Sequence, residues 1–149
     1  MTNDVRLKDV TAGNWRAVIG LELDPAQQDL VADNAYSLVE ARFDPDARPR
    51  AVYAGKRIVG FLMYEVQPTH KPREAAIYRF MIDRRHQGKG YGRAALGKAL
   101  DEIRAIPTVK TISISYMPEN PVAKEFYASF GFVEAGKDED GEMIAELKL

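Results

Sequence analysis

Residues 83–96, Asp-Arg-Arg-His-Gln-Gly-Lys-Gly-Tyr-Gly-Arg-Ala-Ala-Leu, carry the densest run of groups able to do chemistry in this chain of 149 residues. Gly88, Gly90 and Gly92 fall at every second position, so the backbone can turn tightly and present bare N–H groups. A helix-forming segment follows at once, and its N-terminus adds free donors and the positive end of a dipole. Arg84, Arg85, Lys89 and Arg93 bring formal charge to the same place. Together these groups suit a phosphate or pyrophosphate.

Two familiar phosphate loops are set aside by context. Gly90-x-Gly92-x-x-Ala95 matches the dinucleotide fingerprint in form, but that fingerprint directly follows the first strand of a βαβ unit, and an acid ends the next strand. Here a polar loop intervenes, and the next strand runs into Ser115-Tyr116-Met117-Pro118. No Gly-x-x-x-x-Gly-Lys-Ser/Thr occurs, which excludes a P-loop.

Composition removes other chemistry. There is no cysteine, so disulfides, thiolate catalysis and zinc–cysteine sites are excluded together. His70 and His86 are the only histidines, too few for a histidine-built metal centre, and no metal is expected. An apolar content of 46% and a charged content of 29% suit a folded globular domain, and the length suits a single one over 1–149. Neither a long apolar stretch nor a signal-peptide pattern is visible, so a cytoplasmic protein without membrane contact is expected. The net charge of −1 conceals a division. Glu22, Asp24, Asp29, Asp33, Glu40, Asp44 and Asp46 face Arg42 alone, whereas Arg48, Arg50, Lys56, Arg57, Lys71, Arg73 and Arg79 precede the basic loop. That division suits one cationic and one phosphorylated partner. Nucleic acid is disfavoured, because the basic loop lacks interleaved aromatic residues.

The elements that must position these groups follow from periodicity and turn residues. A strand is expected over 5–10, then a turn at Thr11-Ala12-Gly13-Asn14, with Asn14 as N-cap of a helix beginning Trp15-Arg16-Ala17-Val18-Ile19. Leu30, Ala35, Leu38 and Val39 recur at helical spacing, which predicts a helix from Pro25 to Phe43. A hairpin is expected over 50–55 and 57–67, a loop over 67–73, and a buried strand over 75–83. A helix over 91–106, a strand over 109–116 and a helix over 120–130 ended by Gly131 follow. Two last strands, 132–134 and 142–149, flank the turn Asp138-Glu139-Asp140-Gly141. The order β-α-α-β-β-β-α-β-α-β-β predicts a mixed sheet covered by helices.

Gln87-Gly88-Lys89-Gly90-Tyr91-Gly92 resembles the Gln/Arg-x-x-Gly-x-Gly/Ala motif of the GNAT family of N-acetyltransferases. In that family the loop grips the pyrophosphate of acetyl-coenzyme A (acetyl-CoA). The segment from Asn120 to Phe132 is similar to the family's Asn-x-x-Ala-x-x-x-Tyr-x-x-x-Gly-Phe helix, in the expected order and separation. Asn34 to Ala41 and Tyr78 to Asp83 look like the bacterial spermine/spermidine (diamine) branch. The resemblance implies an α/β (α+β) GNAT fold with a mixed, twisted central sheet of about six to seven strands flanked by helices. It also implies acetyl-CoA as co-substrate, a primary amine of a polyamine as acceptor, and a possible homodimer. A cationic polyamine is what the acidic first third would attract.

Acetyl transfer from a thioester to an amine requires a deprotonated amine, a stabilised carbonyl oxygen and a protonated or tolerated thiolate. Without cysteine or a recognisable serine–histidine pair, direct attack within a ternary complex is favoured over an acyl-enzyme. Tyr127 stands at the family's tyrosine position and is the expected general acid, its ordinary pKa of about 10 being roughly matched to a thiolate. The resemblance assigns Phe80, Met81 and Ile82 to the pantetheine arm. It assigns Gln87, Gly88, Lys89, Gly90, Tyr91, Gly92 and Arg93 to the phosphates, and brings Asn120, also an N-cap by position, near the coenzyme. Alternation sets Tyr78, Phe80 and Ile82 on one face of the strand and Arg79, Met81 and Asp83 on the other. Many relatives carry a carboxylate where this chain has Tyr78. The base therefore stays open among Glu22, Glu40 and Glu65, which with Tyr78 are the amine-binding candidates. His86 reads as an exposed loop residue and Trp15 as a core anchor. Other acceptors stay open (an aminoglycoside-type antibiotic, an amino acid, a protein N-terminus), as does a non-catalytic acyl-CoA-binding module.

Overall fold

A strand in which Phe61, Leu62, Met63 and Tyr64 are all under 5% exposed has to be covered on both faces. That requirement organises the molecule, whose computed structural model describes residues 4–23, 33–67 and 71–149. The elements are β1 (Val5–Asp9), α1 (Trp15–Ile19), α2 (Asn34–Phe43), β2 (Ala47–Ala54), β3 (Arg57–Gln67), β4 (Lys71–Ile82), α3 (Tyr91–Arg104), β5 (Thr111–Tyr116), α4 (Pro121–Ala128), β6 (Val133–Lys137) and β7 (Met143–Lys148). The strands form one seven-stranded sheet in the order β1-β2-β3-β4-β5-β7-β6. Every pairing is antiparallel except β4 with β5, across which α3 makes the crossover. The order of elements is the expected one, and so is the mixed sheet.

On one face Leu62, Tyr64 and Ile77 pack against Ala95, Leu96, Ala99, Leu100 and Ile103 of α3. On the other, Phe61, Met63 and Met81 pack with Val18 of α1 and with Leu38 and Ala41 of α2. Complete burial of residues such as Phe61 and Leu62 contributes about 1.5–3 kcal/mol each. Tyr64 also donates to Glu102 of α3 at 2.6 Å, pinning that helix to the sheet from the polar side.

Several boundaries and contacts differ from expectation for identifiable reasons. β2 begins at Ala47 instead of residue 50, since the Asp44 cap closes α2 and the chain pairs with β3 immediately. β4 reaches back to Lys71, four residues before the expected start. The expected helix start at Pro25, together with Leu30, Asp24, Asp29 and His70, lies outside the described residues. Asp33 caps α2 instead, accepting the Tyr36 N–H at 2.7 Å. Val39, expected inward, is 61% exposed, because the buried face of α2 carries the polar Asn34 and Ser37. Asn14 does not cap α1 with its side chain. It accepts from Thr11 and donates to Asp9 and Tyr53, so it braces the turn. Trp15 is 37% exposed and stacks on Arg16, which corrects its reading as a core anchor.

Candidate active site

The cleft follows from a parting of two strands. β4 and β5 pair from Glu74–Thr111 to Ile77–Ile114 and no further. Beyond that point Tyr78 to Ile82 on one side and Ser115, Tyr116 and Met117 on the other become the walls of a cavity of about 690 Å³. The edge of β4 that faces β5 therefore presents main-chain groups with no strand partner among the described residues, suited to an extended ligand that bonds as a strand would. Gln87 Nε2 closes the end of this edge by donating to the Ile82 carbonyl at 2.9 Å.

A bulge decides which side chains enter. Met63 pairs with Arg79 and Tyr64 with Ile77, so Tyr78 is an extra residue on β4. The bulge reverses the facing of Tyr78, which packs with the Met81 cluster, while Phe80 and Ile82 pack with the opposite one. The expected grouping of Tyr78 with Phe80 and Ile82 is thereby corrected. Behind Tyr78 stand Glu65, Glu40 and Asp44, and burial first, then these carboxylates, push its phenol far above the ordinary tyrosine range. Its hydroxyl is buried and finds no hydrogen-bond partner among the described residues. Arg79 beside it bonds Ser37 Oγ at 3.1 Å and Glu40 at 3.2 Å.

At the other end, Gly88 (φ +77°) and Gly90 (φ +85°) take the left-handed conformation that lets the loop bend into the first turn of α3. Gly88, Gly90, Tyr91 and Gly92 all line the cleft. The loop hangs from Asp83, whose side chain is fully buried. Asp83 accepts from the Glu22 N–H at 2.8 Å, and from the N–H and Nε of Arg85 at 2.9 Å each. Burial alone would push its pKa up, but these hydrogen bonds outweigh it and hold the carboxyl well below the usual range. His86, expected in the open, is half-buried and lines the cleft. Its burial, together with Lys89, Arg57 and Arg85, favours the neutral ring against the pull of Asp83.

Tyr127 lies between Tyr116, Phe126 and Phe132, with ring centroids 5.7, 5.3 and 6.1 Å away. Burial and the nearby Tyr116 push its pKa up to about 12. The phenol therefore stays protonated, and a donor, throughout the physiological range. Asn120 accepts from the Ala123 N–H at 3.1 Å, so it is the N-cap of α4, and it lines the cleft as well.

Of the residues named from sequence, the cleft brings together Tyr78, Phe80, Met81, Ile82, Gln87, Gly88, Gly90, Tyr91, Gly92, Asn120 and Tyr127. The others sit around it. Lys89 shares a neighbouring depression with Lys56 and Arg57, and that depression meets the cleft at His86 and Tyr91. Arg93 bonds Ser129 at 2.9 Å and stacks on Phe126 and Phe130, tying α3 to α4. Glu22 pairs with Arg84 at 3.2 Å beside the loop, remote in role from Glu40 and Glu65. The sequence reading missed Asp83, which a strand-ending aspartate two residues before Arg85 could have signalled. It also missed Glu142, a cleft-lining carboxylate hidden in a turn-rich acidic run. No group of three or more His, Asp or Glu suited to a metal occurs among the described residues, and none of their helices is long and apolar enough to cross a membrane.

Comparison with known proteins agrees with this architecture. Residues 12–132 match the model of the acetyltransferase (GNAT) family. The spermine/spermidine N(1)-acetyltransferase of Bacillus subtilis is 30% identical over 150 aligned residues, covering 97% of this chain and 99% of that one. The spermidine N-acetyltransferase of Vibrio cholerae, solved with CoA and spermine, superposes with a TM-score of 0.76 at 21% identity, covering 99% of this chain and 95% of that one. The aminoglycoside acetyltransferase AAC(6')-Ib, solved with an aminoglycoside and acetyl-CoA, superposes at 0.80 with 15% identity, covering 97% and 93%. A phosphate-suited loop, a parted parallel pair and a half-buried tyrosine thus meet in a chain that belongs to the GNAT family of N-acetyltransferases.

Proposed function

We propose that this N-acetyltransferase moves acetyl from acetyl-CoA to a primary amine of a polyamine such as spermidine, by direct attack within a ternary complex. The observation that carries the reading is the pairing of two unlike ends in one cleft. One end has glycine-loop amides and the start of α3, suited to a pyrophosphate. At the other, Tyr78 lines the cleft and Glu40, Glu65 and Asp44 lie behind it, outside the lining, a negative field suited to draw a second ammonium group of a long cationic acceptor. Between them the unpaired edge of β4 suits the amides of the pantetheine arm, with a main-chain N–H to polarise the thioester oxygen. Lys56, Arg57 and Lys89 offer charge to a further phosphate.

Tyr127 then serves the leaving group. An aqueous thiol has a pKa of about 8.5, well below the Tyr127 phenol. The same desolvation that holds the phenol neutral also raises the thiolate, so proton donation becomes better matched as the C–S bond breaks. The 30% identity to a spermine/spermidine N(1)-acetyltransferase supports a polyamine acceptor. Aminoglycosides are polycations too, which makes kanamycin the acceptor to set against spermidine.

The test is thiol release from acetyl-CoA across a panel of spermine, spermidine, kanamycin, amino acids and a peptide N-terminus, with Tyr127→Phe alongside. Spermine or spermidine should turn over best. The variant should bind acetyl-CoA normally and lose about 10²-fold or more in kcat. Preferred turnover of kanamycin or the peptide would replace the acceptor, and full activity in Tyr127→Phe would remove that residue from the chemistry.

A further inference from the structure

An amine that arrives as an ammonium needs somewhere to leave its proton, and the three glutamates singled out from sequence are all outside the described cleft lining. Among the described residues that line it, Glu142 is the one carboxylate. It stands just before β7 and lines the same cavity as Tyr78 and Tyr127. Its position is built. Asp138 Oδ1 accepts the N–H groups of Asp140 and Glu142 at 2.9 Å each, and the Asp138 N–H donates to the Glu142 carbonyl at 2.8 Å. The main chain of the turn thus fixes Glu142 and leaves its side chain to the cavity.

We propose that Glu142 is the general base of the acetyl transfer, an inference that rests on the reading of this cleft as an acetyl-CoA:amine site. Glu142 takes a proton from the substrate ammonium, and the free amine attacks the thioester carbonyl carbon. The N–C bond forms, the C–S bond breaks, and the sulfur leaves with a proton from Tyr127. The second amine proton passes back to the Tyr127 oxygen, and the proton on Glu142 goes to solvent. One acetylated amine, one free thiol and one released proton balance the step.

The surroundings favour this work. Burial, then Asp138 and Asp140 on its own turn, raise the pKa of Glu142, while Arg79 from β4 opposes them. Arg79 is itself engaged by Ser37 and Glu40, which limits its claim on Glu142. A carboxylate raised in this way is a better proton acceptor near neutrality than an ordinary glutamate. His86 is the other titratable base of the lining, and it sits beside the glycine loop at the phosphate end.

The experiment measures kcat and KM for spermidine across pH 6–10 in the wild type, Glu142→Gln, Glu142→Asp and His86→Gln, with acetyl-CoA affinity by calorimetry. Glu142→Gln should lose about 10²-fold or more in kcat at neutral pH, with KM and acetyl-CoA affinity little changed. Its deficit should shrink toward pH 10, where an amine of pKa about 10.4 sheds its proton unaided. Glu142→Asp should keep the acid limb of the profile at reduced kcat, a response that a merely structural role would not give. A Glu142→Gln enzyme with wild-type kcat, one changed only in KM, or loss of the acid limb in His86→Gln instead would overturn the assignment. If the wild type binds acetyl-CoA but turns over no amine, the underlying reading fails first, and the two failures are distinguishable.

Discussion

Replacing Asp83 by asparagine should both destabilise the fold and loosen the glycine loop proposed to hold the coenzyme. Asp83 accepts from two backbone N–H groups and from Arg85. Arg85 is 66% exposed, so its guanidinium exchanges the lost bonds for water at little cost. Asparagine keeps one acceptor oxygen and turns an NH₂ toward the other backbone donor, which is left without a partner. A hydrogen bond to a charged group contributes about 1.5–3 kcal/mol, so a loss of about 2–3 kcal/mol is expected at neutral pH. For a chain of this size that lowers Tm by about 4–12 °C. The pKa of Asp83 is held down in the folded state, so its contribution is complete above the unfolded value of about 3.9 and is lost as pH falls below it. The gap between the melting curves of wild type and Asp83→Asn should therefore hold from pH 7 down to about pH 4 and narrow below it, as pH falls toward the depressed folded-state value. Circular dichroism melts over that range, with acetyl-CoA titrations at pH 7, check both halves. A Tm within 2 °C of wild type at pH 7, or a gap independent of pH, would refute the reasoning.

Tyr78→Phe should separate stability from function. It removes a buried hydroxyl that has no partner among the described residues, so Tm holds or rises, while KM for spermidine rises with acetyl-CoA affinity intact. A clear fall in Tm would show that the hydroxyl is bonded after all. Gly60→Ala should weaken acetyl-CoA binding although Gly60 itself does not line the cleft. A methyl there would stand 2.6 Å from the Met81 carbonyl oxygen and 2.7 Å from Ile82 Cδ1, so β4 must shift at the edge proposed to hold the coenzyme. Unchanged affinity by calorimetry would mean that the strand absorbs the methyl elsewhere.

The parts legible in the sequence are those set by local chemistry. Glycines at 88 and 90, the cap at Asn120 and the buried positions Ala75, Ile77 and Met81 of β4 follow from residue type and spacing, and the structure bears them out. What stayed illegible depends on partners distant in the chain. The extra residue at Tyr78 shows only when β4 is laid against β3, because a bulge leaves no mark in the strand's own alternation. The acids that matter to Tyr78 come from α2 and β3, and charge counting could not separate Glu40 from Glu22, which pairs with Arg84 elsewhere. Glu142 enters the cleft because β7 runs beside β5, a long-range pairing that neither segment announces.

The bulge at Tyr78 divides labour along a single strand. Main-chain atoms downstream of it face the parted edge, whereas residue 78 itself is rotated out of phase toward α2. A substitution at 78 should therefore alter the end proposed for the acceptor without disturbing the register of residues 79–82. For a scaffold that keeps one donor and changes acceptors, such an insertion works as a clutch. The half of the site built from backbone stays fixed, and the half built from side chains is free to diverge.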